Sequence, residues 1–210
     1  MEIIHLGHAS FRIRGKQKTL VTDPYSPEDT GLKFPKIEAD IVTVSHQHQD
    51  HNQASGVLGN PRIFDSPGEY EVGGVKILGF LTFHDSQKGT ERGKNTVFQI
   101  KMDGVVLVHL GDLGERLSGE LVEILSGADI LFAPVGGIYS LDAKQAFEVV
   151  AQLEPKVVIP MHYSVPGLKF SLDPLSKFLK EMGKEDIRPQ PKLVISKDKL
   201  PEVMEITVLE

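Results

Sequence analysis

Three histidines and one aspartate lie within six positions of the chain, at His46, His48, Asp50 and His51. They directly follow the apolar, β-branched run Ile41-Val42-Thr43-Val44, which predicts a short buried strand and therefore a rigid support. Side chains two positions apart in an extended segment point to the same side, so His46 and His48 can reach one ion. Asp50 and His51 come after a turn and would face a second point a few ångströms away.

The residue types in this stretch suit a metal ion. Neutral imidazole and carboxylate are the ligands that zinc prefers, and manganese and iron accept the same set. A solvated polar turn is the alternative explanation. Histidine is an uncommon residue, however, and this density beside an aspartate favours a metal site.

The pattern His-x-His-x-Asp-His at the end of a strand resembles the signature of the metallo-β-lactamase-fold hydrolases. The resemblance implies an α/β fold, a four-layer αββα sandwich with a one- or two-metal site along one edge. It also implies three later ligands in chain order: a histidine, an aspartate that bridges the two metals, and a final histidine.

Three later residues match these positions, each at the end of a predicted strand. His84 follows a β-prone run, Asp112 follows the next hairpin, and His162 follows a strand near residue 160. A histidine at a strand end is more often structural, but the upstream pattern favours metal binding here. The resemblance thus implies two Zn²⁺ per chain, with Mn²⁺ or Fe²⁺ as alternatives. One ion would take His46, His48 and His84, the other Asp50, His51 and His162, and Asp112 would lie between them.

Four more residues are candidates for supporting or substrate-binding roles. Asp23 matches a family position that braces the ligand loop without binding metal, although a turn-starting aspartate before proline explains it equally well. His8 lies in a Gly-His-Ala opening that resembles the branch including L-ascorbate-6-phosphate lactonase, but a structural role is favoured for it. His109 fits a position behind the ligands. Tyr163, His109 and His8 could each protonate a leaving group or bind substrate.

The implied ligand set leaves each ion short of a full coordination shell, as in catalytic sites. Two ions about 3.5–4 Å apart can hold a bridging hydroxide and polarise a carbonyl or phosphoryl oxygen. We therefore expect a hydrolase that uses a metal-bound hydroxide, with Asp50 and Asp112 at the catalytic centre. The flavodiiron proteins share the fold but carry Glu at the position of His48, which makes redox chemistry less favoured.

The substrate is predicted only as a class. The Gly7-His8-Ala9 opening, the His109–Asp112 segment and the Pro160–Tyr163 segment resemble the lactonase-like branch, which suggests a small ester, a lactone or a phosphorylated substrate. A metal-dependent phosphodiesterase or nuclease is one alternative. A non-catalytic metal-binding protein on the same scaffold is the other.

The composition and net charge of the chain indicate which classes of partner to expect. The chain has 210 residues, 40% of them hydrophobic, and a net charge of −6. We expect one domain over residues 1–210, a small-molecule substrate that could be anionic, and no nucleic-acid or membrane partner. The chain has no cysteine, no signal-peptide pattern and no apolar run of membrane-spanning length, so a cytoplasmic location is expected.

Three basic residues follow His84 in a glycine-rich loop: Lys88, Arg92 and Lys94. A basic loop beside a metal could hold an anionic substrate group such as phosphate or carboxylate. A solvated loop explains the same residues and is the favoured interpretation from sequence.

The remaining patterns predict the elements that position these residues. Residues 24–40 are predicted to form an irregular loop, and a helical turn is expected at Asn52–Ser55. Helices are predicted over Leu117–Leu125 and Ala143–Leu153, and from Asp173-Pro174 to Gly183, with Ser140 or Asp142 capping the second. Strands are predicted at Glu2–Leu6, Ser10–Arg14, Lys18–Thr22, Arg62–Asp65, Val75–Phe83, Thr96–Lys101, Val105–Leu110, Asp129–Pro134, Lys156–Pro160, Lys192–Ser196 and Met204–Leu209.

Overall fold

The strands and helices follow the predicted order, and the computed structural model describes residues 1–210. The α-helices are α1 (Pro27–Thr30), α2 (Gly119–Leu125), α3 (Ala143–Leu153) and α4 (Leu175–Glu181). The strands are β1 (Glu2–Gly7), β2 (Ser10–Arg14), β3 (Thr19–Thr22), β4 (Ile37–Glu38), β5 (Ile41–Thr43), β6 (Val57–Leu58), β7 (Arg62–Phe64), β8 (Gly68–Val72), β9 (Val75–Phe83), β10 (Lys94–Met102), β11 (Val105–His109), β12 (Ile130–Pro134), β13 (Val157–Met161), β14 (Leu193–Val194) and β15 (Glu205–Ile206).

Most of these strands form two mixed sheets. The first has the order β14-β1-β2-β3-β5-β7, and the second has the order β15-β13-β12-β11-β10-β9-β8. The second sheet is antiparallel from β8 to β11 and parallel from β11 through β12 and β13 to β15. The short strands β4 and β6 pair separately.

Apolar side chains of the two sheets meet in a shared core. One buried cluster combines Phe11 and Ile13 of the first sheet with Ile77, Phe98 and Ile100 of the second. Neighbouring residues on a strand point to opposite faces, so the other face of the second sheet packs against helices α2, α3 and α4 in a separate cluster. The predicted α/β architecture of two stacked sheets is confirmed.

The outer face of the first sheet has a thinner cover. Val21 and Val42 point away from the other sheet and pack with Ile37 of β4 and Val57 of β6. A single 3₁₀ turn at Ala54–Gly56 replaces the helical turn predicted at Asn52–Ser55. Residues 24–40, predicted to be irregular, contain α1, which begins after Ser26 and ends at a left-handed Gly31.

Local signals explain several element boundaries. Asp142 caps α3 and forms a reciprocal capping box with Gln145, as one of the two predicted caps. Asp103 and Gly104 both have positive φ and join β10 to β11 in a two-residue hairpin, as the Asp-Gly pair predicts. Asp173 is not the cap of α4, because Pro174 occupies that position and the Asp173 carboxylate pairs with Lys177.

The elements deliver the candidate residues to one edge of the sandwich. Strands β3 and β5 run parallel and end just before Asp23 and His46. Strands β9, β11 and β13 of the second sheet run in one direction and end just before His84, Asp112 and His162. The sheets are joined at this edge by the Thr96 amide, which donates to the Ser45 carbonyl at 2.8 Å. No helix has the length and apolar character required to cross a membrane.

Candidate metal centre

Asp23 organises the loop that carries the first ligands. This fully buried carboxylate accepts hydrogen bonds from the Ser45 amide (2.7 Å), the Ser45 hydroxyl (2.5 Å) and His51 Nδ1 (2.9 Å). Burial would raise the pKa of Asp23, but the imidazoles of His109 and His51 lower it below its usual value. Asp23 therefore holds the loop through hydrogen bonds, which is the supporting role that the resemblance implies for it.

These hydrogen bonds assign the tautomers of two histidines. The Ser45 hydroxyl gives its only proton to Asp23, so at 3.0 Å it accepts a proton from His46 Nδ1. His51 gives its Nδ1 proton directly to Asp23. In both rings Nε2 is left as the nitrogen that can face an ion. Burial would lower the pKa of His51, but Asp112 and Asp50 raise it well above its usual value, so an ion there would displace the Nε2 proton.

Asp112 lies at the centre of the histidine cluster. Its Oδ2 is 3.0 Å from His162 Nε2, 3.2 Å from His84 Nε2 and 3.4 Å from His51 Nε2. Burial would raise the pKa of Asp112, but His162 and His51 hold it well below its usual range. Asp112 is thus an ionised carboxylate within reach of both proposed ion positions.

The structure brings all seven predicted ligands together in three overlapping groups, and the third combines Asp112 with His46 and His51. In each group, one ligand atom per residue lies within 4.8 Å of the others. The first group is the predicted one, His46, His48 and His84. The second contains the predicted Asp50, His51 and His162 and, in addition, His8.

Buried polar atoms without partners show that the residues fit a metal ion. His46 Nε2, His51 Nε2 and Asp112 Oδ1 are buried and make no hydrogen bond within the protein. An unsatisfied buried polar atom costs about 1–3 kcal/mol, which a bound cation would relieve. Burial, together with the charge of His51, lowers the pKa of His46 to about 2, so its ring is in the neutral form that metals require.

His8 has a more direct place in the site than the structural role favoured from sequence. Its Nε2 is 3.1 Å from Asp50 Oδ2, and its ring centroid is 4.2 Å from that of His162. Its carbonyl accepts the His162 amide at 3.0 Å, which ties the β1–β2 turn to the end of β13. Burial and His162 lower the pKa of His8 to about 3, so the neutral ring donates its proton to Asp50.

His109 lies behind the ligands, as expected, and does not line the cavity. Its Nε2 donates to the Ala9 carbonyl at 2.9 Å, and its Nδ1 accepts the Gly111 amide at 3.2 Å. Both nitrogens are therefore used, and the fully buried ring has no group available to protonate a substrate. Its contacts hold the turn that presents Asp112.

Asn95 is a functional residue that the sequence analysis missed. Its Oδ1 accepts the Asp112 amide at 3.0 Å, and its Nδ2 donates to the Leu110 carbonyl at 2.9 Å and to Thr82 Oγ1 at 2.8 Å. Gly111 between them has φ +57°, and a β-carbon there would collide with the Asn95 oxygen and with Ser45. The one sign of this role in the sequence is a polar side chain at a buried position of a long strand.

A cavity of about 290 Å³ opens beside the two ligand groups. Tyr163 is not part of its lining and instead lies near His5, with ring centroids 6.4 Å apart. Arg92 lines the cavity, whereas Lys88 and Lys94 do not. The lining residues are Asp29, His48, Gln49, Asp50, His84, Arg92, Asp112, Tyr139, His162 and Phe170.

Several known proteins are similar to this chain in sequence or in structure. Residues 2–162 match the family described as the beta-lactamase superfamily domain. A crystal structure from Thermotoga maritima, of a proposed Zn-dependent hydrolase of the metallo-β-lactamase superfamily, is 41% identical. Its TM-score is 0.82, and the match covers 100% of this chain and 98% of that one.

Two curated relatives are named UPF0173 metal-dependent hydrolases. The protein from Pelotomaculum thermopropionicum is 31% identical over 202 residues, which cover 78% of this chain and 85% of the relative. The protein from Thermococcus onnurineus is 30% identical over 191 residues, with the same coverage of both chains.

Proposed function

Because the chain belongs to the UPF0173 metal-dependent hydrolases of the metallo-β-lactamase superfamily, we propose that it hydrolyses a small ester or lactone at two zinc ions. The observation that carries the proposal is the position of Asp112. Its single Oδ2 atom lies 3.2 Å from His84 of the first ligand group and 3.0 Å from His162 of the second. One carboxylate therefore connects two adjacent sets of nitrogen donors.

The donor set supports zinc and a catalytic role. Five of the seven ligands are imidazoles, which suit zinc well, and the 41% identical relative is itself a proposed Zn-dependent hydrolase. Divalent ions bound there would polarise a carbonyl oxygen and lower the pKa of a coordinated water. Asp23 and Ser45 would keep His46 and His51 in the ligating tautomer throughout.

Asp50 is our candidate for the proton acceptor. Its carboxylate borders the cavity, accepts the His8 Nε2 proton at 3.1 Å and lies 3.5 Å from His51 Nε2. Burial would raise the pKa of Asp50, but His51 and His8 lower it below its usual value. The carboxylate is therefore ionised. Its place at the cavity and its orientation by His8, rather than its pKa, make it the candidate to accept a proton from the attacking water.

The volume of the cavity and the small number of basic residues that line it support a small substrate. A cavity of about 290 Å³ admits a small ester or lactone, and only one lysine or arginine lines it. The Gly7-His8-Ala9 opening, the His109–Asp112 segment and the Pro160–Tyr163 segment, which resemble the lactonase-like branch, favour a lactone. A small-molecule partner, the absence of nucleic-acid and membrane partners and a cytoplasmic location remain predictions.

The test combines metal analysis with a substrate panel. Zinc-loaded protein, checked by elemental analysis, is assayed against lactones, carboxylic esters and phosphodiesters. We expect about two zinc ions per chain and turnover of an ester or lactone. His48→Ala should lower the zinc content and abolish turnover, whereas the neighbouring exposed Gln47→Ala should change neither. Full zinc binding without turnover would favour a non-catalytic protein, and turnover of phosphodiesters alone would favour a nuclease.

A further inference from the structure

Arg92 is the only lysine or arginine that lines the cavity beside the proposed ions. It is half-buried, and its guanidinium lies 4.5 Å above the ring of Tyr139. It forms no ion pair: no aspartate or glutamate lies within salt-bridge distance of it. A guanidinium that is partly removed from water and stacked on an aromatic ring keeps its edge N–H groups free for an acceptor.

The loop that carries Arg92 is held by Asp85, the residue next to the ligand His84. Asp85 Oδ1 accepts the amides of Gln87 and Gly89 at 2.8 and 2.9 Å. Its Oδ2 accepts the amides of Glu91 and Arg92 at 3.1 and 2.8 Å. These four hydrogen bonds to one carboxylate fix the backbone of the loop, and with it Arg92, relative to His84. Arg92 therefore differs from a residue of a freely solvated loop.

A wall of rings continues from Arg92 along the cavity. The Tyr139 and Phe170 centroids are 6.1 Å apart, and Phe170 is 5.5 Å from the His8 ring. The acidic Asp29 also lines the cavity, but its carboxylate lies 2.7 and 2.9 Å from the Gln49 side-chain amide nitrogen in that amide's hydrogen-bonded orientation. The other two acidic residues of the lining, Asp50 and Asp112, belong to the proposed metal site and form no ion pair with Arg92. Within the cavity, Arg92 therefore has no anionic partner of its own.

We propose that Arg92, held against Tyr139, binds an anionic group of the substrate, a carboxylate or a phosphate, away from the bond that is cleaved. This inference rests on the proposed function and specifies its substrate class: a small ester or lactone that carries a negative charge. A planar guanidinium recognises either anion through two parallel N–H donors. Arg92 is thus a specificity-determining residue, while the ligand groups carry out the hydrolysis.

The test compares substrates that differ only in the charge at one end. Para-nitrophenyl hexanoate is neutral, mono-para-nitrophenyl adipate ends in a carboxylate, and the para-nitrophenyl ester of phosphonopentanoic acid ends in a phosphonate. Arg92→Ala should lower kcat/KM for the preferred anionic ester by about 10- to 100-fold, mainly through KM, and change that for hexanoate less than about twofold. The two anionic esters distinguish a carboxylate from a phosphate ligand.

Three further variants sharpen the comparison. Arg92→Lys keeps the charge but loses the planar fork, so it should recover only part of the selectivity, and Tyr139→Leu should lose part of it. Lys94→Gln removes a nearby exposed charge that does not line this cavity, and should leave the selectivity unchanged. An equal effect of Arg92→Ala on charged and neutral esters, or no effect on either, would overturn the proposal.

A binding measurement separates this proposal from the proposed function. Adipic acid monoamide, which carries the carboxylate but no ester, is titrated calorimetrically into zinc-loaded protein. Binding that weakens about tenfold or more in Arg92→Ala supports the anion site even if no ester is hydrolysed. Equal affinity in both proteins overturns it, whatever the esterase activity.

Discussion

Asp23 accepts two hydrogen bonds from Ser45, one from its amide and one from its hydroxyl, at 2.7 and 2.5 Å. Through this pair the buried carboxylate controls the Nδ1 proton of His46, in addition to the Nδ1 proton of His51 that it accepts directly. Two proposed ligands therefore depend on a residue that binds no ion itself.

Asp23→Asn should weaken zinc binding about 10- to 100-fold, because an amide cannot accept all three protons and the ligand tautomers are no longer imposed. Competition with a chromogenic chelator would measure the dissociation constants. Asp40→Asn, which removes a carboxylate that pairs with Lys18 at the surface, is the matched control. Equal zinc affinity of Asp23→Asn and the wild type would contradict the bracing role.

His8→Phe should lower kcat about tenfold or more while the protein still binds two zinc ions per chain. The phenyl ring preserves the ring contact with His162 but removes the Nε2–H donor to Asp50. Kinetics and elemental analysis on the same preparation would check this. Loss of one zinc ion would instead make His8 a ligand of the second group.

Gly111→Ala should destabilise the protein by about 1–3 kcal/mol, because the residue has φ +57° and its β-carbon would collide with Asn95 and Ser45. The shift of the turn should also displace Asp112 and lower zinc affinity. Gly119→Ala, at the start of α2 with open space around it, is a control that should leave stability unchanged or slightly raised. Urea denaturation of the metal-free proteins would measure both, and equal effects would refute the steric argument.

The metal-free protein should lose stability on acidification from about pH 7.5 to about pH 5.5. Burial lowers the pKa of His46 to about 2 and that of His8 to about 3, so the unfolded state takes up protons first below about pH 6.5. Protonation of each of these two histidines in the unfolded state then lowers the free energy of unfolding by about 1.4 kcal/mol over this interval. His51 instead adds stability on acidification. Burial would lower its pKa, but Asp112 and Asp50 raise it well above the usual value.

The expected net loss is therefore at least about 1 kcal/mol, because His46 and His8 together outweigh His51. Burial also lowers the pKa values of His5, His48 and His109, which adds to the loss. Denaturant midpoints at the two pH values, measured in the presence of a chelator, would show it. His46→Gln should reduce the difference, since it removes one of the groups that titrates. Stability that is equal or higher at the lower pH would contradict the sign.

Sequence patterns predict that the seven proposed ligands lie together, as they do in the structure, because each follows the end of a strand, where a short motif or a register position marks it. They do not show where the side chains of His8 and Tyr163 lie, because backbone turns decide those positions. Gly7 and His8 both have positive φ, which turns His8 towards Asp50. His162 also has positive φ, and the next side chain, Tyr163, lies near His5 rather than in the cavity lining.

The cavity wall was the least predictable part. Tyr139 and Phe170 come from loops far apart in the chain and belong to no periodic pattern, so only the packing of the loops brings them to one side of the site. In the sequence, Arg92 is one of three basic residues of a glycine-rich loop. The sequence does not show that the Asp85 carboxylate accepts four backbone amides of this loop, or that Arg92 differs in position from Lys88 and Lys94.

Each ligand group combines residues that precede the second sheet with one residue delivered by it: His84 in the first group and His162 in the second. An ion in the second group would tie His51 to His162 and so close a loop of about half the chain, as a disulfide does in other proteins. The chain has no cysteine, and a cross-link made of imidazole and carboxylate would survive reducing agents that cleave sulfur bridges. Chelation, rather than reduction, would be the treatment that removes this cross-link between the two halves of the fold.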